Sequence, residues 1–119
     1  MQKRKFKIAI YDVIVNVCIF DNITSLDKYW RKLAKKFSID DDDEGLCYAC
    51  VFFNPNDFNE VFYLISKPNI SHNLIAHENT HLALGIFQYN NIHVNLDDHE
   101  PLALLTGYIA DNIYRLVEK

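Results

Sequence analysis

The sequence predicts a single α+β domain in which a short, mostly antiparallel sheet packs against helices. Three observations carry this. Apolar, β-branched runs occupy residues 5–20, 46–53 and 60–66, and the first of them contains neither Gly nor Pro. Apolar residues at helical spacing fill 24–37, 71–88 and 98–117. With 119 residues, half of them hydrophobic, the chain can bury one core but not two, so residues 1–119 are expected to form one domain.

Taken in order, 5–20 reads as one long strand or two, with a bend near Asp12. Thr24 or Ser25 is the expected cap of a helix reaching Phe37, with Leu26, Tyr29, Trp30, Leu33 and Phe37 along its core stripe. Lys28, Arg31, Lys32, Lys35 and Lys36 form its solvated face. Asp40-Asp41-Asp42-Asp43-Glu44 reads as a solvated acidic connector, because the central Gly and distant Glu of a calcium loop are missing. Asn54-Pro55-Asn56-Asp57 has turn chemistry and predicts an antiparallel hairpin between 46–53 and 60–66. Lys67-Pro68-Asn69 then breaks the chain before the next helix. The expected element order is β-α-β-β-α-α.

The helix over 71–88 contains His77-Glu78-Asn79-Thr80-His81, an HExxH pentad. Side chains four apart leave the same helix face, so His77 and His81 can reach one metal ion together. Glu78 lies one residue round, placed to hold a water beside that metal and take its proton. This spacing is the signature of zinc metallohydrolases. Leu74, His77, His81 and Leu84 form one stripe, expected to continue an apolar, inward-looking face.

A hydrolytic zinc site needs a third protein ligand and an open position. His93, Asp97, Asp98, His99, Glu100 and Asp111 are the downstream candidates. The longer HExxHxxGxxH pattern fails, because Leu84 and Phe87 stand where Gly and His are required. A ligand from the later helix, 98–117, is the remaining common solution. Asp98 is its expected N-cap, Pro101 fits the first turn, and Leu102, Leu105, Ile109, Ile113 and Leu116 supply its apolar face. Glu100, in the first turn, is the favoured ligand, and Asp97, Asp98 and His99 read as capping and loop residues.

The segments Leu74-Ile-Ala-His-Glu-Asn-Thr-His-Leu-Ala-Leu84 and Asp97-Asp-His-Glu-Pro-Leu-Ala-Leu-Leu-Thr-Gly-Tyr-Ile109 resemble small zincin-like metallopeptidases encoded by phages and prophages. The resemblance covers roughly the C-terminal half and is most specific at the pentad. Leu104 departs from it, standing where the family tends to carry Tyr. It implies a minimal zincin-like fold, Zn2+ at His77, His81 and Glu100, and Glu78 as catalytic base. In such folds the strand before the metal helix often lies at the cleft and pairs with an extended peptide. Residues 61–65, with Val61, Tyr63 and Ile65, are the candidate substrate strand, although the same run can equally pack inside or pair in a homodimer.

The expected chemistry is zinc-dependent peptide-bond hydrolysis, with Glu78 taking a proton from water and passing it to the leaving amine. Tyr108, Tyr89, His93 and His99 are candidates to stabilise the oxyanion. Tyr108 is the best placed, though its simpler reading is a core aromatic. The alternative function is a catalytically silent, zincin-derived binding module that holds a host factor. An intact Glu78 favours the enzyme, because a purely structural site needs no base.

The resemblance implies a peptide or protein substrate, and composition offers no evident alternative partner. The formal net charge is −4 and no basic stripe is interleaved with aromatics, so nucleic acid is not expected. No segment approaches the roughly 20 apolar residues that cross a bilayer. The basic start, Met1-Gln2-Lys3-Arg4-Lys5, precedes a run interrupted by Asp12, Asn16 and Asp21, unlike a signal peptide. The expected location is the cytoplasm, the host's if the chain is phage-encoded. Three cysteines argue against a secreted disulfide framework. Cys47 and Cys50 have CxxC spacing but fall in a predicted strand, where residues three apart face opposite sides, so they read as buried structural thiols.

Overall fold

In a computed structural model, described here for residues 1–39 and 47–118, the chain forms a four-stranded mixed sheet with helices on both faces. The acidic run 40–44 and Leu46 lie outside the described residues. The elements are β1 (Gln2–Ile8), β2 (Val13–Phe20), α1 (Ile23–Lys36), β3 (Ala49–Asn54), β4 (Asp57–Ser66), α2 (His72–Tyr89) and α3 (Glu100–Val117). Sheet order is β1-β2-β4-β3. The pairs β1–β2 and β3–β4 are antiparallel, and β2–β4 is parallel. The expected α+β class is therefore observed. No helix among the described residues is long and apolar enough to cross a membrane.

The run 5–20 resolves into two strands rather than one bent strand. A 3-10 turn at Ala9–Tyr11 joins them, and Asp12 closes it in the left-handed region at φ 53°, its N–H donating to the Ala9 carbonyl. Asp tolerates that conformation better than a β-branched residue, which is why the turn falls here. β2 and β4 are covered on both sides, so they read as continuous apolar runs. Val13, Val15, Val17 and Ile19 of β2, with Val61, Tyr63 and Ile65 of β4, face α2 and α3 in the main core. Cys18, Phe20, Phe62 and Leu64 point to the opposite face, against Leu26 and Leu33 of α1. Tyr29, Trp30 and Phe37 complete the aromatic stripe expected of α1.

Helix boundaries shift by small amounts for identifiable reasons. α1 is capped by Asn22, whose side chain accepts from the Ser25 N–H at 2.8 Å, so Thr24 and Ser25 lie inside the first turn. Ser71 caps α2 by accepting from the Leu74 N–H. α3 begins at Glu100, and His99, not Asp98, occupies the cap position without a side-chain cap.

The substrate-strand expectation is overturned by the topology. β4 lies between β2 and β3 with both edges paired, and Val61, Tyr63 and Ile65 are fully buried. None of them can pair with a peptide; the three are core residues. Tyr63 has a specific task there, its hydroxyl donating to the Asn79 side-chain oxygen of α2 at 2.7 Å. This buried bond ties the central strand to the middle of the pentad. Tyr63→Phe removes the donor and leaves a buried amide oxygen unpartnered, so chemical denaturation should show a loss of about 1–3 kcal/mol.

Candidate metal centre and its cleft

α2 sits on the sheet through Ile75, Asn79, Leu82, Ala83 and Ile86, all buried. That choice of buried face fixes where the pentad side chains go. Glu78 borders the buried face and is 5% exposed, whereas His77 and His81 are exposed on the next face. The histidines thus open to solvent rather than continuing an inward apolar stripe. Leu84, expected on the same inward stripe, is also exposed, at 42%. The buried face of α2 begins one position later than the sequence pattern suggests, because Asn79 is satisfied by Tyr63 and can be buried.

His77 and His81 present their Nε2 atoms to each other at 3.2 Å. Two nitrogens on a tetrahedral zinc at about 2.0–2.1 Å are separated by roughly 3.3 Å. The pair therefore already has the spacing of two vertices of a zinc site. The Oε2 of Glu78 is 3.7 Å from His77 Nε2. Burial raises the Glu78 pKa above the ordinary carboxylate range, and the positive charge of His77 and His81 opposes that rise. The chain thus places a poorly solvated carboxylate beside two imidazoles.

These side chains line a cleft between α2 and the sheet edge. One hollow of about 510 Å³ runs past His77, Glu78, His81 and Gly85 to Tyr89. A second, of about 530 Å³, runs from Glu78 towards Ser71 at the N-terminus of α2. The hollows share Cys47, Ala49, His77 and Glu78, so Glu78 stands at their junction. Gly85 lets the edge strand approach, since a Cβ there would come within 2.3 Å of the Phe53 ring. Phe53 and Phe58 pack on Tyr89, with ring centroids 4.8 and 4.0 Å away, and close the far end with aromatic surface.

The expected third ligand and oxyanion donor are not brought to this cleft. Glu100 is exposed at the first position of α3 and lines neither hollow. α3 packs towards the other flank of the molecule: the Arg4 guanidinium donates to the Leu116 carbonyl, and Tyr108 OH to the Lys7 carbonyl. Tyr108 also contacts Phe6 edge-on, so its position is a packing one beside β1 rather than a place in the site. His93, Asp97, Asp98 and His99 lie in the exposed segment before α3. Among the described residues, no group of three or more His, Cys, Asp or Glu side chains is arranged to hold a metal ion.

Two cleft residues were not anticipated. Cys47 and Cys50 both line the hollow that contains the pentad, and Cys47 is exposed. The strand starts only at Ala49, so strand alternation does not separate the two thiols. Their CxxC spacing was the available signal. No family model, curated protein or solved structure matches this chain.

The buried carboxylate has a measurable consequence for the metal-free protein. With its folded pKa raised, Glu78 keeps its proton in the folded state at pH values where the unfolded chain releases it. Stability therefore falls as pH rises from the ordinary carboxylate value through the raised one. Glu78→Gln lacks this cost, so its stability advantage over the parent protein should be small in acid and widen across that window, as read by urea denaturation at a series of pH values.

Proposed function

We propose that the protein is a zinc-dependent peptide hydrolase, with His77 and His81 holding the metal and Glu78 acting as general base. The observation that carries this reading is the 3.2 Å separation of two exposed imidazole nitrogens beside a buried carboxylate at the centre of an open cleft. When bound, zinc would supply Lewis acidity to the scissile carbonyl and to water. Glu78 takes the proton from the attacking water and returns it to the leaving amine. Burial, which raises its pKa in the metal-free protein, leaves the carboxylate poorly solvated and so better able to accept a proton.

The edge strand β3 is the surface suited to the substrate. It lies at the end of the sheet, and Ala49, Val51 and Phe53 line the cleft beside the pentad. An extended peptide adding to β3 would run along the two hollows and pass Glu78. The aromatic end at Phe53, Phe58 and Tyr89 would receive an apolar side chain. Action on peptides or proteins in the cytoplasm agrees with this reading. Assigning Glu100 as third ligand requires the first turn of α3 to reach the cleft. Glu100→Ala with a measured zinc affinity tests it: a sharp loss supports the assignment and an unchanged affinity removes it.

Zinc binding should be close to one per chain in protein resupplied with zinc after chelation. His77→Ala and His81→Ala should each lower the affinity by more than about tenfold, the least that changing even an outer-shell partner of a metal ligand commonly costs. Elemental analysis and calorimetric titration check both.

Glu78→Gln separates an enzyme from a silent binding module. It preserves side-chain size and removes basicity, so zinc should stay bound while peptide hydrolysis drops by about 10²-fold or more. A variant that binds zinc and retains its full biological effect would support the binding-module alternative instead.

A further inference from the structure

The CxxC pair occupies a position the proposed hydrolytic chemistry does not use. Cys47 is exposed at the point where the chain enters β3, and Cys50 is half-buried within that strand. The segment between them is anchored, because the Tyr48 carbonyl accepts from the Ser66 N–H at 2.9 Å. Both thiols line the hollow that contains His77, Glu78 and His81. Cys18, by contrast, is fully buried between β2 and α1.

We propose that Cys47 and Cys50 are a redox-active dithiol that closes into a reversible intramolecular disulfide in the wall of the His77–Glu78–His81 cleft. The geometry supplies both roles such a pair needs: an exposed sulfur to attack an oxidant and a second, less exposed sulfur three residues on in the same hollow to resolve the product. The interaction with Cys50 brings the Cys47 thiol down to about 7, against the opposing effect of burial, and the interaction with Cys47, followed by burial, pushes Cys50 up. Cys47 is therefore the attacking thiolate and Cys50 the resolving thiol.

With a small disulfide such as glutathione disulfide as oxidant, the Cys47 thiolate attacks one of its sulfurs. A mixed disulfide forms and one glutathione thiolate leaves. Cys50 then loses its proton, its sulfur attacks the Cys47 sulfur, and the second glutathione thiolate departs. Two protein thiols give up two electrons and two protons, and glutathione disulfide is reduced to two thiols. Closure fixes the stretch that leads into β3, and with it one wall of the cleft. Its effect on peptide access rests on the hydrolytic reading, whereas the disulfide itself does not.

The test uses the metal-free full chain, equilibrated in mixtures of reduced and oxidised glutathione, quenched, alkylated under denaturing conditions and read by mass spectrometry. The parent protein should lose two alkylatable thiols together, with Cys47 and Cys50 linked in one peptide and Cys18 still alkylated. Cys50→Ser should stop at a glutathione adduct on Cys47, and Cys47→Ser should leave Cys50 largely unmodified. Circular dichroism of both variants before oxidation shows that they are folded. Three alkylatable thiols in the parent under the most oxidising mixture, or a persistent glutathione adduct with no internal link, would overturn the proposal. So would pairing of Cys18 with either thiol.

Discussion

Everything at the candidate site depends on which face of α2 is buried against the sheet. Ile75, Leu82, Ala83 and Ile86 press into the core, and Asn79 is held down among them by the Tyr63 hydroxyl. A polar residue on that face would otherwise carry a desolvation cost, so this hydrogen bond makes the orientation tolerable. Rotating α2 by one residue would bury a histidine and expose Glu78. As it stands, one imidazole pair faces water and one carboxylate does not. A metal from solvent can reach the first, and a base with reduced hydration is the second.

The sheet supports this arrangement by placing β3 last in its order, on the same side as the pentad. The parallel pairing of β2 with β4 places the most apolar strands at the centre, where both faces are covered. β3 is thereby left at the end beside α2, and Gly85 allows the two to come close. β1 forms the other edge, under α3, and carries Lys3, Arg4, Lys5 and Lys7, charges of the kind that discourage strand addition. The two edges differ in chemistry, and only the β3 edge meets the pentad.

Much of the fold was legible because local signals agreed with one another. The β-branched runs, the Asn54–Asp57 turn and the helical stripes of α1 and α3 all correspond to observed elements. The pentad residues were legible as a chemical pattern, and their mutual spacing follows from helix geometry alone. Strand order was not legible, because a continuous apolar run such as Val61–Ile65 looks the same at an edge beside a buried helix and at the centre of a sheet. That ambiguity produced the substrate-strand expectation. The placements of Glu100 and Tyr108 failed for a related reason. A helical stripe says which residues of α3 are buried but not on which flank of α2 the helix lies, and the contacts with Lys7 and Leu116 decide that. Cys47 was misread through a strand boundary three residues too early, since strand alternation applies only from Ala49 onward.

The claim at the centre of this account is that His77 and His81 form a preset pair of zinc vertices. X-ray absorption at the zinc edge of the loaded, reduced protein addresses it most directly. The account predicts a first shell with two imidazole nitrogens at about 2.0–2.1 Å, lost when either histidine is replaced. A shell without imidazole, or one made of sulfur at about 2.3 Å, would contradict it.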